Sequence, residues 1–426
     1  MRNIMTRTLA FVGAVAMLGS VVACGSTNSS DSGDENTGEI TFWTKNLKTG
    51  YNDYFVNLVK EFEKQNPGAK VKWVDQPGES YANTVSTAAA SGTLPDVLDG
   101  MPSDAFALAE AGAIDNVSKE YPNIEKEYAP GPWSGMVFKS PTIEEGAYGY
   151  PWYTTSSAIF YNKGILAECG VDTTNLPDSY DEYFAAADTF AQNCKGKYSF
   201  DANLPNIGGF YAYAGKQLND DHTKWLFNNK KSVELLQKYA DMYKNGALSE
   251  EAVSANGTQS SDLFKQGAVA TRSGYVYDLQ DIKENAPEVY KDLAFVPGFG
   301  HASITPEMLM VSSTSKKKAL AHKFAQFVTN NKNQVEFGKA ANVFPATAEG
   351  VDDPYFTNPG ADADDQRQLI ATLSKNIKDG FCGYPEFTPA DSTTFTEQVS
   401  LAASGKVSPK EALDTAVNDA NTRLQD

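Results

Sequence analysis

Between Glu39 and Glu110 the chain alternates short β-rich runs with single helical stretches, and this alternation constrains the fold more than any other feature. Glu39-Ile40-Thr41-Phe42-Trp43 reads as a strand. Tyr54, Phe55, Leu58, Val59 and Phe62 then recur at helical spacing, with Asp53 as the expected N-cap and Pro67-Gly68 as the stop. A strand over 69–74, a helix over 81–90 ending at Ser91-Gly92, a strand over 94–98 and a helix over 105–110 complete the pattern. Strands separated by single helices predict a parallel α/β sheet. In open sheets of that kind, ligands sit outside the carboxyl ends of the strands, which points to 43–48, 76–80 and 101–104. A second α/β unit follows, with strands expected at 158–161, 268–271 and 293–296 and helices at 181–193 and 232–245. Met308-Leu309-Met310-Val311 and a helix over 317–329 come next, and Pro409 opens a last helix.

The first residues read as an address. Arg2 and Arg7 precede an apolar run over 9–18, shorter than the ~20 residues that a membrane-spanning helix needs. It fits the apolar part of a secretory leader, residues 1–23. The leader ends in Val21-Val22-Ala23-Cys24-Gly25, which resembles the lipobox of bacterial lipoproteins. That resemblance implies cleavage before Cys24 and acylation of its sulfur; the alternative is an ordinary leader with a chance cysteine. The stretch 25–38 has no apolar residue, so 24–38 is expected to be a lipid-tethered flexible linker on an extracytoplasmic protein.

The remaining 39–426 is long enough for two domains. The formal charge of the chain is −18, and without Arg2 and Arg7 it is −20, with 34 Lys and Arg against 54 Asp and Glu. A field of that sign repels nucleic acid and anionic lipid, so neither is an expected partner. It is neutral toward sugars and permissive toward cations. Cys194 falls on the apolar face of its helix and Cys169 ends the short helix before it; a disulfide and a pair of buried thiols are both open. No zinc-ligand spacing is present, and His222, His301 and His322 are widely separated, so neither a metal nor a cofactor is expected.

Several pieces, in order, resemble the extracellular solute-binding proteins of sugar ABC importers, the maltodextrin-binding group. These are Ile40-Thr41-Phe42-Trp43, Ala89-Ala90-Ser91-Gly92-Thr93-Leu94-Pro95-Asp96-Val97, and Gly149-Tyr150-Pro151 followed by Tyr161-Asn162-Lys163. Phe264-Lys265-Gln266-Gly267-Ala268-Val269-Ala270, Val343-Phe344-Pro345 and the closing Ser404-Gly405-Lys406-Val407-Ser408-Pro409 extend the likeness over nearly the whole mature chain. Thr271, Tyr275 and Tyr277 depart from the family pattern, which has Met and Trp there. The resemblance implies an α/β, two-lobed periplasmic-binding-protein-like fold of type II, with a hinge of crossing strands and a ligand cleft between the lobes. It places the N-lobe at 39–150 and 301–344, the C-lobe at 151–300, and a C-terminal segment, 345–426, mainly on the C-lobe. Crossings are expected near 150–156, 299–304 and 342–346. It further implies a monomer that delivers an oligosaccharide to permease subunits and touches the membrane by its lipid anchor alone.

A sugar offers apolar ring faces and a rim of hydroxyls, so its site needs flat aromatic side chains and fixed polar groups. The aromatic candidates are Trp43, Trp152, Tyr153, Phe210, Tyr211, Tyr275 and Tyr277; the polar ones are Asn46, Lys48, Glu79, Asp104 and Asn206. His301 lies in the return crossing, as a ligand contact or as part of the hinge. Trp73 reads as core. Two rival readings remain: the same fold holding a polyamine or other small cation, and a secreted carbohydrate-active enzyme using paired carboxylates such as Glu144-Glu145 or Asp352-Asp353.

Overall fold

The computed structural model of the protein describes residues 36–254 and 259–425. The expected leader, Cys24 and the linker up to residue 35 lie outside the described residues.

Strand β1 (Gly38–Lys45) turns Ile40, Phe42 and Thr44 inward, each 0% exposed, and takes in Gly38, the last residue assigned to the linker. Helix α1 (Lys48–Gln65) starts earlier than the sequence suggested. Asp53 is inside it, and the cap comes from the next strand instead: the Asp75 carboxylate accepts from the backbone N–H of both Leu47 and Lys48 at 3.0 Å. A non-helical Tyr51 (φ −133°) kinks the first turn, so the regular helical period begins close to where the apolar spacing did. Strand β2 (Ala69–Gln76) runs parallel to β1. Helix α2 (Gly78–Ser91) ends on Gly92, whose φ of +66° lets its N–H reach back to the carbonyls of Ala88 and Ala89. Strand β3 (Val97–Gly100) begins after the Leu94-Pro95-Asp96 stretch expected to be part of it. Pro95 has no N–H for a ladder, and Asp96 spends its carboxylate on Thr41 N–H (2.8 Å) and Ser315 Oγ (2.6 Å). Helix α3 (Pro102–Glu110) has proline in its first turn.

A two-stranded ribbon, β4 (Val137–Phe138) with β5 (Gly146–Ala147), precedes the strands that join the halves of the molecule. These are β6 (Tyr150–Ser156), β7 (Ala158–Asn162), β8 (Thr271–Gly274), β9 (Leu293–Pro297), β10 (Ile304–Val311) and β11 (Phe344–Pro345). One sheet has the order β11-β6-β10-β3-β1-β2, with β1, β2 and β3 parallel and β10 antiparallel to both β3 and β6. The other is antiparallel, in the order β8-β7-β9. β8 follows the expected 268–271 because that stretch pairs elsewhere, Val269 bridging to Ser199. The chain leaves the six-stranded sheet at Ser157 and returns through 298–303.

One core packs on each sheet, and a third, with Phe160, Ile304, Phe344 and Leu373, is shared between them. Phe42, Phe55, Phe62, Leu320, Phe324 and Phe337 pack α1 and the helices Lys318–Val328 and Asn331–Ala341 on the large sheet. Around the small sheet, helices Tyr180–Cys194, Lys230–Asn245, Pro389–Ala403 and Pro409–Arg423 bury Phe190, Leu235, Phe395 and Leu413 together. This is a two-lobed α/β architecture. Cys169 and Cys194 form a disulfide with Cα atoms 5.4 Å apart, pinning the ends of two helices of the second core.

The large sheet also buries charge. Lys45 Nζ meets both oxygens of Glu307, at 3.0 and 3.2 Å, and the Lys45 N–H donates to Asp99 at 3.3 Å. Two carboxylates thus converge on one lysine, Glu307 on its ammonium and Asp99 on its backbone N–H, and Asp99 Oδ1 is buried with no hydrogen-bond partner. Burial, then the Glu307 charge, raises the Asp99 carboxyl well above its ordinary range, and burial raises Glu307. Burial pulls Lys45 down, but Glu307 and Asp99 outweigh it and hold the ammonium up.

Two expectations follow from this packing. The disulfide closes a loop of 25 residues, so the Cys169→Ala/Cys194→Ala variant should lose about 3 kcal/mol in urea unfolding; an unchanged midpoint would show that the bridge adds nothing. Asp99 binds its proton more tightly folded than unfolded, so its contribution falls as pH rises from the ordinary carboxylate range through the raised folded value. The stability of the wild type relative to Asp99→Asn should therefore decrease with rising pH over that window, and a difference that stays flat in pH-dependent urea unfolding would contradict it.

Candidate functional site

Where β6 and β10 leave the large sheet, the two sheets diverge and open a cavity of about 470 Å³. Its walls are Ser157, Ser303 and Thr305 from the crossings, the loop and helix from Asp201 to Ala212, the end of β8, and the segment 376–383. Asn206 caps the helix Ile207–Ala214, accepting from Gly209 N–H at 3.0 Å, and this cap holds the loop against the cavity. At the lip, Gly300 (φ +66°) lies so close to Ala212 that a Cβ would stand 2.2 Å from its carbonyl oxygen. Only glycine closes the return crossing onto that wall.

The cavity holds one buried carboxylate and one buried guanidinium, and the protein matches both. Asp201 Oδ1 accepts from the N–H groups of Ala202 (2.6 Å) and Asn203 (3.0 Å) and from Asn203 Nδ2 (2.9 Å), while Tyr183 donates its hydroxyl to Oδ2 in a short bond. Burial still raises the Asp201 carboxyl above its usual value. Arg272 gives Nη2 to Asp278 (2.9 Å) and Nε to Ser273 O (2.7 Å). Cys382, a free thiol at the wall, is pushed up to about 12 by burial and donates to Gly131 O at 3.0 Å.

Tyr275 lines the cavity, and Tyr277 stacks on it with centroids 5.1 Å apart and planes within 8°. Tyr277 is 55% exposed, so the pair forms a flat aromatic ledge running outward from the cavity. Tyr211 stands behind the opposite wall, stacked on the cavity-lining Phe381 and 5.5 Å from the His301 ring. Of the residues singled out from sequence, the cavity therefore gathers Asn206, Tyr275 and His301, with Tyr211 and Tyr277 adjoining.

Two aromatic candidates are corrected. Trp152 is 0% exposed, stacked on Phe337 (5.5 Å, 17°) with Phe42 and Phe55 at its edges, because both faces of β6 are covered there. Phe210 is 0% exposed against Phe395, on the inner side of the helix that Asn206 caps. Both side chains are fully enclosed by protein. Trp73 stacks on Phe55 and Trp225 is buried with Tyr384 and Phe387.

The candidates at the strand ends do not line the cavity. Trp43 is half-buried against the Leu98–Phe106–Met310 cluster. Asn46, at φ +53°, accepts from Gly78 N–H (2.9 Å) and ties the β1–α1 loop to α2. The Lys48 ammonium lies 5.8 Å over the Trp73 ring. Glu79 is exposed in the first turn of α2, and Asp104 accepts from Met101 N–H at 3.4 Å. Tyr153 is half-buried between Trp152 and Phe337 and opposite Glu307 in the β6–β10 register, so burial and that charge drive its hydroxyl far above the usual tyrosine value. Residues two apart on a strand share a face, so Glu307 and Tyr153 continue the surface that Thr305 and Ser157 present to the cavity.

Asp201, Arg272, Asn203 and Asn376 are cavity residues that the sequence reading did not select. Asp201 lies in a segment without periodicity. Arg272, in a chain of strong acidic excess and just before Ser273-Gly274-Tyr275, carried the one signal available. The paired carboxylates raised as acid–base candidates all meet lysines at partly or fully exposed positions: Glu144 with Lys119, Glu145 with Lys139, Asp352 with Lys378 and Asp353 with Lys339. Among the described residues, no group of three or more His, Cys, Asp or Glu could hold a metal, and no helix is long and apolar enough to cross a membrane.

Known proteins share this architecture. The diacetylchitobiose binding protein DasA of Streptomyces coelicolor is 24% identical over 362 residues, covering 80% of this chain and 81% of its own. The galactooligosaccharide-binding protein of Bacillus subtilis is 25% identical over 430 residues, covering 95% and 94%. The cyclic α-maltosyl-1,6-maltose binding protein of Arthrobacter globiformis has the same fold at a TM-score of 0.75, with 19% identity over 91% of this chain and 99% of that one. Residues 57–363 match the bacterial extracellular solute-binding protein family, and with the two lobes and the cavity at their crossing this chain belongs to that family.

Proposed function

We propose that this protein is the receptor of an ABC importer, closing its two lobes over a neutral oligosaccharide and presenting it to the permease subunits. The observation that carries the sugar is the cavity's charge balance beside the Tyr275–Tyr277 ledge. Asp201 and Arg272 are already matched within the protein, so the wall offers hydrogen bonds and ring faces without a free charge. A polyamine would require converging unpaired carboxylates, and the lining supplies none beyond Asp201. The names of the relatives support the same cargo class. They also name binding proteins, and the function is read here as capture without turnover.

In this reading the N-lobe comprises 39–150 and 301–344 and the C-lobe 151–300, with 345–426 mainly beside the C-lobe. The crossings at Ser157 and 298–303 take up the rotation while each core stays rigid. Tyr275, Tyr277 and Asn206 hold the ligand from the C-lobe side. Glu79, Lys48 and Asp104 approach from the N-lobe on closure. Cys24 carries the lipid that keeps a monomeric receptor at the outer face of the membrane.

Calorimetry on the mature protein tests the cargo. Diacetylchitobiose, galacto-oligosaccharides and maltotetraose are set against spermidine; at least one sugar should bind and spermidine should not. Binding of spermidine alone would overturn the proposal. For the sugar that binds, Tyr275→Ala should weaken affinity about tenfold through loss of ring stacking, and small-angle scattering should show contraction of the wild type.

A further inference from the structure

We infer that Arg272 and Asp278 are positioning residues that fix the Tyr275–Tyr277 ledge, and so set ligand affinity without offering their charges to the ligand. The inference rests on the proposed role of Tyr275. An exposed aromatic pair has little packing of its own: Tyr277 is 55% exposed and Tyr275 only half-buried. Something other than side-chain burial must hold their planes within 8° of each other.

The backbone between them is closed from both ends. Asp278 N–H donates to Tyr275 O at 3.0 Å, and Tyr275 N–H donates back to Asp278 Oδ2 at 2.8 Å. That same oxygen takes Arg272 Nη2 at 2.9 Å. Arg272 is 8% exposed on β8, paired across the small sheet with Phe160, and its Nε is fixed on Ser273 O at 2.7 Å. Rigidity therefore passes from the strand to the guanidinium, from there to one carboxylate oxygen, and from that oxygen to the Tyr275 amide. Arginine's separate nitrogens let one side chain grip the carboxylate through Nη2 and the Ser273 carbonyl through Nε in one fixed plane; lysine's donors all leave a single nitrogen and lack that fixed fork. A ledge held this way is ordered before the ligand arrives, so binding does not have to order it.

Hydrogen exchange and calorimetry on the whole mature protein test the inference. In ligand-free protein, Asp278→Asn and Arg272→Lys should each speed exchange in the peptide containing the Tyr275 amide about tenfold, as expected for a lost charge-assisted hydrogen bond. With the sugar that binds best among diacetylchitobiose, galacto-oligosaccharides and maltotetraose, Asp278→Asn should weaken affinity about fivefold in the wild type. In the Tyr275→Ala background it should change affinity by less than about twofold, since the ring it positions is gone. Unchanged exchange overturns the inference, and so does an equal affinity loss in both backgrounds. Arg272→Lys losing affinity with normal exchange would make Arg272 a direct ligand contact instead, and also overturns it. If none of the sugars binds the wild type, the proposed cargo falls, while the exchange arm still decides whether the ledge is held from Asp278.

Discussion

The antiparallel pairing of β6 with β10 is the constraint on which the molecule depends. Ile304 pairs with Ser156, Thr305 with Thr155 and Glu307 with Tyr153, and β11 adds Phe344 opposite Thr154. These strands belong to the large sheet, yet both continue within a few residues into the small one. The two halves are therefore joined by short crossings that leave one ladder and by the shared core of Phe160, Ile304 and Phe344, rather than by a loose linker. Ser156 Oγ donates to Ser303 O at 3.2 Å and accepts from Asn376 at 3.2 Å, binding the exit of one crossing to the entry of the other. The ladder ends just past that point, and the cavity lies at the same place.

The position of the cavity qualifies a general rule. The parallel part of the large sheet puts loops at the carboxyl ends of β1, β2 and β3, where open α/β sheets bind ligands. The walled volume instead lies by the antiparallel crossings and the second lobe. The strand-end loops do not line it, and Glu307 and Tyr153 lie on the sheet face that Thr305 continues to the cavity. In a two-lobed protein, one half of the site need not be enclosed until the other half meets it.

How much of this was legible in the sequence depends on period. Helices and strands with a clear 3.6 or 2.0 repeat were readable, and their ends shifted where a distant side chain intervened, as Asp75 does for α1, where a proline lacked an N–H, as at Pro95, or where a stretch paired elsewhere, as Val269 does. The aromatic residues near the crossings were not separable by type. Trp152 and Tyr275 both come shortly after a glycine, but β6 is covered on both faces and the ledge on one. Phe210 and Tyr211 are adjacent on a helix, so one residue of rotation sends the first into the core and the second against Phe381 behind the cavity wall. Asp201 owes its place to a loop held by its own hydrogen bonds, a tertiary fact with no local signature.

Charge supplies the last step. A chain with 54 acidic residues against 36 basic ones would be expected to line any cleft with carboxylates. Here the acidic excess is kept out of the cavity: its buried carboxylate is saturated by backbone and side-chain donors, and its buried cation faces a neighbouring aspartate. Burying an unmatched charge in such a cavity is costly. Internal matching leaves ring faces and oriented hydrogen-bonding groups as the means of capture. Such weak, short-range contacts reward geometry, which is why the aromatic ledge is held from β8 and the loops at the strand ends are tied at Asn46, Asp75 and Asp104.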